Sequence, residues 1–353
     1  MPTQKFPLLT PAEAFGPEIE RFRSESQALT SWRDKQSQRW LFWGALHTMR
    51  GRTYGFQLSF FDHRTQNDFL GAIPARWITQ RSFSAQFALT DRLNADASRA
   101  FRSWQQGGFF SKKTGFASEG RFHVEMSGWH AYRNEKGSIT VFANGDNESL
   151  HLELQESKPM SFHGQKGYID HNYVCSYPRM KAKGLLVIDG ALEEVQGLAW
   201  FDHEKKTPLR DEGAAELSRI ALQFNSGQEL ILFLHDETVV GSWIEDTGES
   251  KHLIATEVEI ENIEYAKSPQ TGARYPLRRR IRIDHLKLEL IVKPSVEMQE
   301  IDATKSLFTA TWRGLIEAYG QLDSAEISAT GFMELLGYDE RPRAQVFRFL
   351  MTP

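Results

Sequence analysis

The sequence predicts a mainly-β protein: two tandem β-barrels or strongly bent sandwiches with a few short peripheral helices. Three observations carry that expectation. Apolar residues alternate with period two through nearly every segment, as in strands with one buried face. Helical periodicity is scarce. The 353 residues divide into halves of roughly 170, about the size of one ligand-holding barrel.

The strands follow in order. In TYGFQLSFF, Tyr54, Phe56, Leu58 and Phe60 fall on one face. RFHVEMSGW repeats the pattern with Phe122, Val124 and Met126, and LHLELQ with Leu150, Leu152 and Leu154. It continues through GLLVIDG, IALQF, ELILFLH, HLIATEVEI, RIRIDHLKLELIV, FTATWRGLIEAYG and AEISATGFMELLGY. Two stretches read as helical. DRLNADASRAFRSWQQ places Leu93, Ala97, Ala100, Phe101 and Trp104 on one side before Gly107 and Gly108, and PEIERFRSES is a shorter candidate.

VFANGDNESLHLEL and LQFNSGQELILFL echo each other, each running from a strand through an Asn/Gly turn into an alternating Leu strand. Two copies of one β unit would account for this. The short polar break Lys181 to Gly184 suggests a division into residues 1–183 and 184–353.

Composition removes several function classes. The 42 basic and 46 acidic residues are spread along the chain, leaving a net charge of -4 and no basic footprint for nucleic acid. The single cysteine, Cys175, precludes an intrachain disulfide framework and fits a reducing compartment. Pro7, Pro11 and Glu13 interrupt the apolar runs at the start, so a cytoplasmic location is expected. No window approaches the roughly twenty apolar residues of a spanning helix. Arg278, Arg280 and Arg282 share one strand face, which reads as a solvated or protected edge. At most, that face offers transient contact with a membrane surface.

The stretch GLAWFDHE concentrates chemistry at the end of a strand. Period two puts Leu198, Trp200 and Asp202 on one face and Ala199, Phe201 and His203 on the other. An Asp beside an indole against apolar walls has a raised pKa and can hold a proton near neutral pH. Such an acid can protonate an alkene while the ring face stabilises the cation. Alternatively, Asp202, His203 and Glu204 begin the following loop as a turn cap and solvated charges. The stretch SFHGQKGYIDHNYVCSYPRM gathers His163, Tyr173, Tyr177 and Arg179, groups able to orient a ligand. His163 and His171 lack the close helical spacing of a zinc site and no paired cysteines accompany them, so no metal is expected. A nucleophile elbow, a phosphate-binding Gly loop and a dinucleotide fingerprint are all missing.

The ordered series RWLFWGALHTMRGRTYGFQLSFF, FALTD, KPMSFHGQKGY, YVCSYPRM and GLLVIDGALEEVQGLAWFDHE, closed by ISATGFMELLGY, resembles the carotenoid 1,2-hydratase and AttH-like lipocalin-like family. The resemblance runs from Trp40 to about Tyr338. It implies two tandem lipocalin-like domains holding an apolar ligand in or between them, with no cofactor. It further implies acid-catalysed chemistry on a terpenoid or similar lipophile, by hydration, dehydration or cyclisation. Trp200, Asp202 and His203 match the family's aromatic-Asp-His segment, although Lys205 and Lys206 follow where members commonly carry an aromatic and a small residue. The expected roles are Asp202 as acid, Trp200 and Tyr173 as walls facing the cation, and His203 or His163 as the base that orients water. Tyr177, Arg179 and Trp43 are expected to help bind substrate. The competing expectation is a non-catalytic carrier of a small hydrophobic ligand.

Overall fold

The computed structural model describes residues 37–64, 69–70, 73–74, 81–93, 103–107, 115–117, 122–164, 167–169, 172–206, 216–235, 238–301 and 310–339. Alternating side chains build two antiparallel sheets, of thirteen and ten strands, each curved around its own core. The first runs in the order Ser103–Gly107, Arg81–Asp91, Thr53–Arg64, Ser37–Thr48, Ala191–Lys206, Asn172–Ile188, Ser149–Glu156, Ile139–Asn144, Trp129–Arg133, His123–Met126 and Gly115–Ala117, with the short strands Ser161–Phe162 and Tyr168–Ile169 also paired to Asn172–Ile188. Its two ends approach each other, so this sheet is a nearly closed barrel, whereas the second is a half-barrel. The second sheet runs Ser250–Leu253, Thr238–Ile244, Glu229–His235, Leu217–Phe224, Ala325–Leu336, Thr311–Leu322, Leu288–Pro294, Arg274–Ile283 and Glu259–Lys267, with the short strand Glu300–Ile301 also paired to Thr311–Leu322.

Each sheet pairs its first long strand with its last. Ser37–Thr48 lies beside Ala191–Lys206, and Leu217–Phe224 beside Ala325–Leu336. The same winding therefore occurs twice. The sequence echo, however, aligns hairpins in different places: residues 141–154 lie toward the end of the first meander, and residues 222–234 open the second.

The expected division near residue 183 falls inside the strand Asn172–Ile188, and the chain leaves the first sheet only after Lys206. The reason lies at Asp189 and Gly190, whose φ angles of 51° and 76° form the tight turn of a long hairpin. That hairpin ties residues 172–188 to 191–206, and the exposed lysines at 181 and 183 are the outward side of its first strand.

Of the two helical stretches, Ser103–Gly107 is a strand paired with Arg81–Asp91, while residues 17–26 and 94–102 lie outside the described residues. Leu93 is exposed, so it anchors no apolar helix face. Among the described residues no helix is long and apolar enough to cross a membrane.

Arg280 and Arg282 pair with Glu261 and Glu259 of the outermost strand at 2.5 and 3.2 Å, and Arg278 lies 3.9 Å from Glu264. The arginine face is thus an exposed, charge-balanced edge of the kind that discourages edge-to-edge pairing. Neutralising Arg278 and Arg280 by Gln should change stability by less than about 0.5 kcal/mol in thermal melts, since exposed pairs contribute little.

Candidate functional site

The two sheets meet along a seam formed by opposite faces of the strands that build the barrel. In Ala191–Lys206 the odd residues Ala199 and Phe201 belong to the first core, while Trp200 belongs to a third apolar cluster with Leu41, Trp43, Ala221, Ile231, Ile244 and Phe332. The even residues of TYGFQLSFF do point into the barrel, but those of GLAWFDHE point out of it, onto the second sheet. Antiparallel pairing places Trp43 opposite Trp200, Leu41 opposite Asp202 and Arg39 opposite Glu204. The indoles of Trp43 and Trp200 stack at 5.5 Å, and Phe332 from the second sheet stacks on Trp43 at 5.7 Å.

Asp202 is 0% exposed, so the strand carries its charges into the seam and not into a loop. Its Oδ1 accepts hydrogen bonds from the indole N–H of Trp200 at 2.6 Å and from the Ser176 hydroxyl. Its Oδ2 faces the guanidinium of Arg219 in an ion pair. Burial pushes the Asp202 carboxyl above the ordinary carboxylate range, against the opposing pull of Arg219, Ser176 and Trp200.

Ser176 stands directly opposite Asp202 because the hairpin contains a bulge. Pairing near the turn joins Met180 to Ala199, but beyond the shift Tyr177 pairs with Phe201 and Ser176 with Asp202. Pro178, which has no N–H to give the ladder, lies within this irregularity.

A relay of hydrogen bonds crosses the seam from Ser176. Since Ser176 donates to Asp202, its oxygen accepts the N–H of His163 Nε2 at 2.8 Å. His163 Nδ1 then accepts from the Ser242 hydroxyl of the second sheet at 3.0 Å. His163 is 0% exposed. Burial, with Arg219 and His252 nearby, lowers its pKa to about 3.

His163 is therefore neutral and protonated at Nε2, which nitrogen NMR of the imidazole should show at about pH 5 and above. Its folded pKa lies below the ordinary value of 6.5, so its contribution to stability is complete above 6.5 and fades as pH falls toward about 3. An imidazole titrating near 6.5 in the folded protein would refute the relay.

Around this point sits a balanced set of charges: Asp202, Glu204 and Glu334 against Arg39, Arg219 and Arg313, each at most 5% exposed. Arg39 grips Glu334 with two hydrogen bonds, at 2.7 and 2.9 Å, and Arg219 also binds Glu204. Burial alone would raise the Glu334 pKa, but Arg313 and Arg39 outweigh it and hold the carboxyl well below the ordinary range.

Other expected site residues lie elsewhere. Tyr177 belongs to the first core, where its hydroxyl accepts from Arg133 at 3.1 Å, and half-buried Tyr173 packs against the same core. Alternation puts both on the strand face opposite Ser176, so neither is a wall beside Asp202. His203 also turns away from Asp202, stacking on Trp40 at 5.3 Å with Nε2 2.9 Å from Gln38 Oε1.

Arg179, expected to help bind substrate, does not pair with Asp202. It binds the buried carboxylate of Glu229, which Lys158 holds from the other side at 2.8 Å. Arg219 takes that place; sequence reasoning missed it together with Ser176 and Ser242. The alternation of LSRIALQF could have marked Arg219 as sharing a face with Ala221, but not which sheet it would meet.

Beyond the aromatic layer the seam opens into a cleft of about 1060 Å³. Ala45 and Leu198, two residues along the strands from Trp43 and Trp200, help line it. Asp202 borders neither this cleft nor a second cavity of about 1040 Å³ beside Tyr132 and His151.

Among solved structures, an AttH candidate from Nitrosomonas europaea aligns with a TM-score of 0.71 at 22% identity, over 88% of this chain and 96% of that one. Kievitone hydratase from Nectria haematococca aligns with a TM-score of 0.65 at 13% identity, over 84% of this chain and 88% of that one. Both likenesses are of fold. No curated protein matches the sequence. The AttH-like family model matches residues 26–338, nearly the whole of both sheets, and the chain therefore belongs to the AttH-like family.

Proposed function

We propose that this protein is an enzyme that protonates a carbon–carbon double bond of a lipophilic, terpenoid-like substrate, in a hydratase, dehydratase or cyclase reaction. The observation that carries this reading is Asp202: a carboxyl removed from water, raised in pKa, bonded to an indole and linked through Ser176 to a neutral His163. The fold it shares with kievitone hydratase is compatible with such chemistry.

In the forward direction the protonated form of Asp202, which burial favours over the ion pair with Arg219, gives its proton to the alkene, whose π electrons form the new C–H bond. The substrate is left as a tertiary cation and Asp202 as a carboxylate balanced by Arg219. The faces of Trp43 and Trp200 offer electron-rich surfaces to that cation. Water then adds through its oxygen, and the proton it releases is taken up by the Asp202 carboxylate, which restores the acid, while Ser176 and the neutral His163 hold that carboxylate in place. Cyclisation differs only in that a second double bond of the substrate captures the cation. Substrate reaches Asp202 by parting the Trp43–Trp200 stack from the side of the cleft.

The test uses geranylgeraniol and geranylgeranoic acid in deuterated buffer. The unaltered protein is expected to place solvent deuterium on an alkene carbon of one of them. Asp202→Asn keeps an acceptor for Ser176 and Trp200, and Glu204 remains for Arg219. Binding followed by tryptophan fluorescence should therefore persist, while deuterium incorporation drops by about 10²–10⁴-fold. Binding without deuterium transfer in the unaltered protein would leave the chain a carrier. Equal turnover by Asp202→Asn would remove the acid role.

A further inference from the structure

We propose that the cleft between the sheets binds the anionic end of the substrate, so that the molecule is an amphiphile bearing a carboxylate or phosphate on an apolar tail. This inference rests on the proposed site and assigns its substrate class. The cleft's volume of about 1060 Å³ is at the upper end of small-molecule sites.

Its floor and rim differ in chemistry. Ala45 and Leu198 supply apolar groups on the seam faces that lead to Trp43 and Trp200. Leu198 precedes Asp202 by four residues on one face, roughly 13 Å along the strand. A tail lying on this floor therefore points its far end at the proton donor.

The rim is basic in excess. Lys181, Lys183 and Lys293 line it and are all exposed. Of the carboxylates lining the cleft, Glu153 is 3.3 Å from Lys183, and Glu317 is held by Arg92 and lies 4.0 Å from Lys293. Arg179, which also lines the cleft, is engaged with Glu229. Lys181 has no ion pair among the described residues, and Lys293 shares its only described carboxylate with an arginine. Positive charge beside an apolar floor suits an anionic head with the tail directed inward.

The experiment measures binding of all-trans-retinoic acid, retinyl phosphate and retinol through quenching of tryptophan fluorescence, in Asp202→Asn as well as in the unaltered chain. At low salt at least one of the two anions should bind about tenfold more tightly than retinol. The gap should narrow as salt rises. Lys181→Glu with Lys293→Glu, both at exposed positions, should abolish the preference and leave retinol binding in place. Lys267→Glu with Arg282→Glu, at exposed positions outside the cleft lining, should preserve it.

Preference for one anion over the other names the head group. Equal affinity for anion and alcohol, no binding of any probe, or a preference that survives the lysine reversal overturns the proposal. Because binding is read in a chain without the proposed acid, failed catalysis does not touch it. Conversely, a protein that deuterates geranylgeraniol but shows no anion preference loses only the head-group assignment.

Discussion

Glu334→Gln is expected to lower the unfolding free energy by about 3–5 kcal/mol at neutral pH, the range for removing one partner from a buried ion pair. Glu334 joins the two sheets: it takes two hydrogen bonds from Arg39 of the first and pairs with Arg313 of the second. A glutamine offers one oxygen and no charge, so two enclosed guanidiniums lose their closest counterion, and Arg39 is left with Glu204 at 3.8 Å.

The pH dependence has a definite sign. The folded pKa of Glu334 lies below the ordinary value of 4.5, so its contribution is complete above 4.5 and is lost as pH falls through the folded value. The unaltered protein should therefore lose stability from Glu334 on acidification, and the variant should lose less. Urea denaturation at about pH 7 and about pH 4 measures both effects. A neutral-pH loss below about 1 kcal/mol would mean that the arginines find water, and that the seam is looser than the burial of Arg39 and Arg313 indicates.

The fold was legible because alternation is a local signal. Tyr54, Phe56, Leu58 and Phe60 announce a half-buried strand without reference to the rest of the chain, and all four lie in the first core. The pairing of Trp200 with Asp202 on one enclosed face was legible for the same reason.

What lies across that face was not. Counting back symmetrically from the Asp189–Gly190 turn sets Tyr177 opposite Asp202; only the bulge at Pro178 brings Ser176 there. Arg219, Ser242 and Glu334 reach the site from another sheet, and the packing of one sheet on another leaves no period in the sequence. The turn at Asp189–Gly190 was itself readable as a hairpin signal. The two exposed lysines at 181 and 183 outweighed it and suggested a division where the chain is instead continuous strand.

Arg219→Gln is expected to destabilise the protein by about 3–5 kcal/mol near pH 7, because Asp202 and Glu204 both lose the guanidinium between them. That cost should shrink as the solution is made mildly acidic. Burial already raises the Asp202 pKa above the ordinary value of 3.8 while Arg219 opposes the rise, so without Arg219 the folded value climbs further. A carboxyl with a raised folded pKa favours the native state most fully below 3.8, and that benefit is lost as pH increases through the folded value. Lowering the pH from about 7 to about 5 therefore lets the native state of the variant take up a proton at Asp202 that its unfolded state does not. Paired urea titrations of the two proteins at these pH values should show the difference in unfolding free energy narrowing. A gap that is constant or wider at about pH 5 would mean that Asp202 stays ionised without its guanidinium. Burial would then not be what sets its proton affinity, and a carboxylate so indifferent to its surroundings would be a poor proton donor to an alkene.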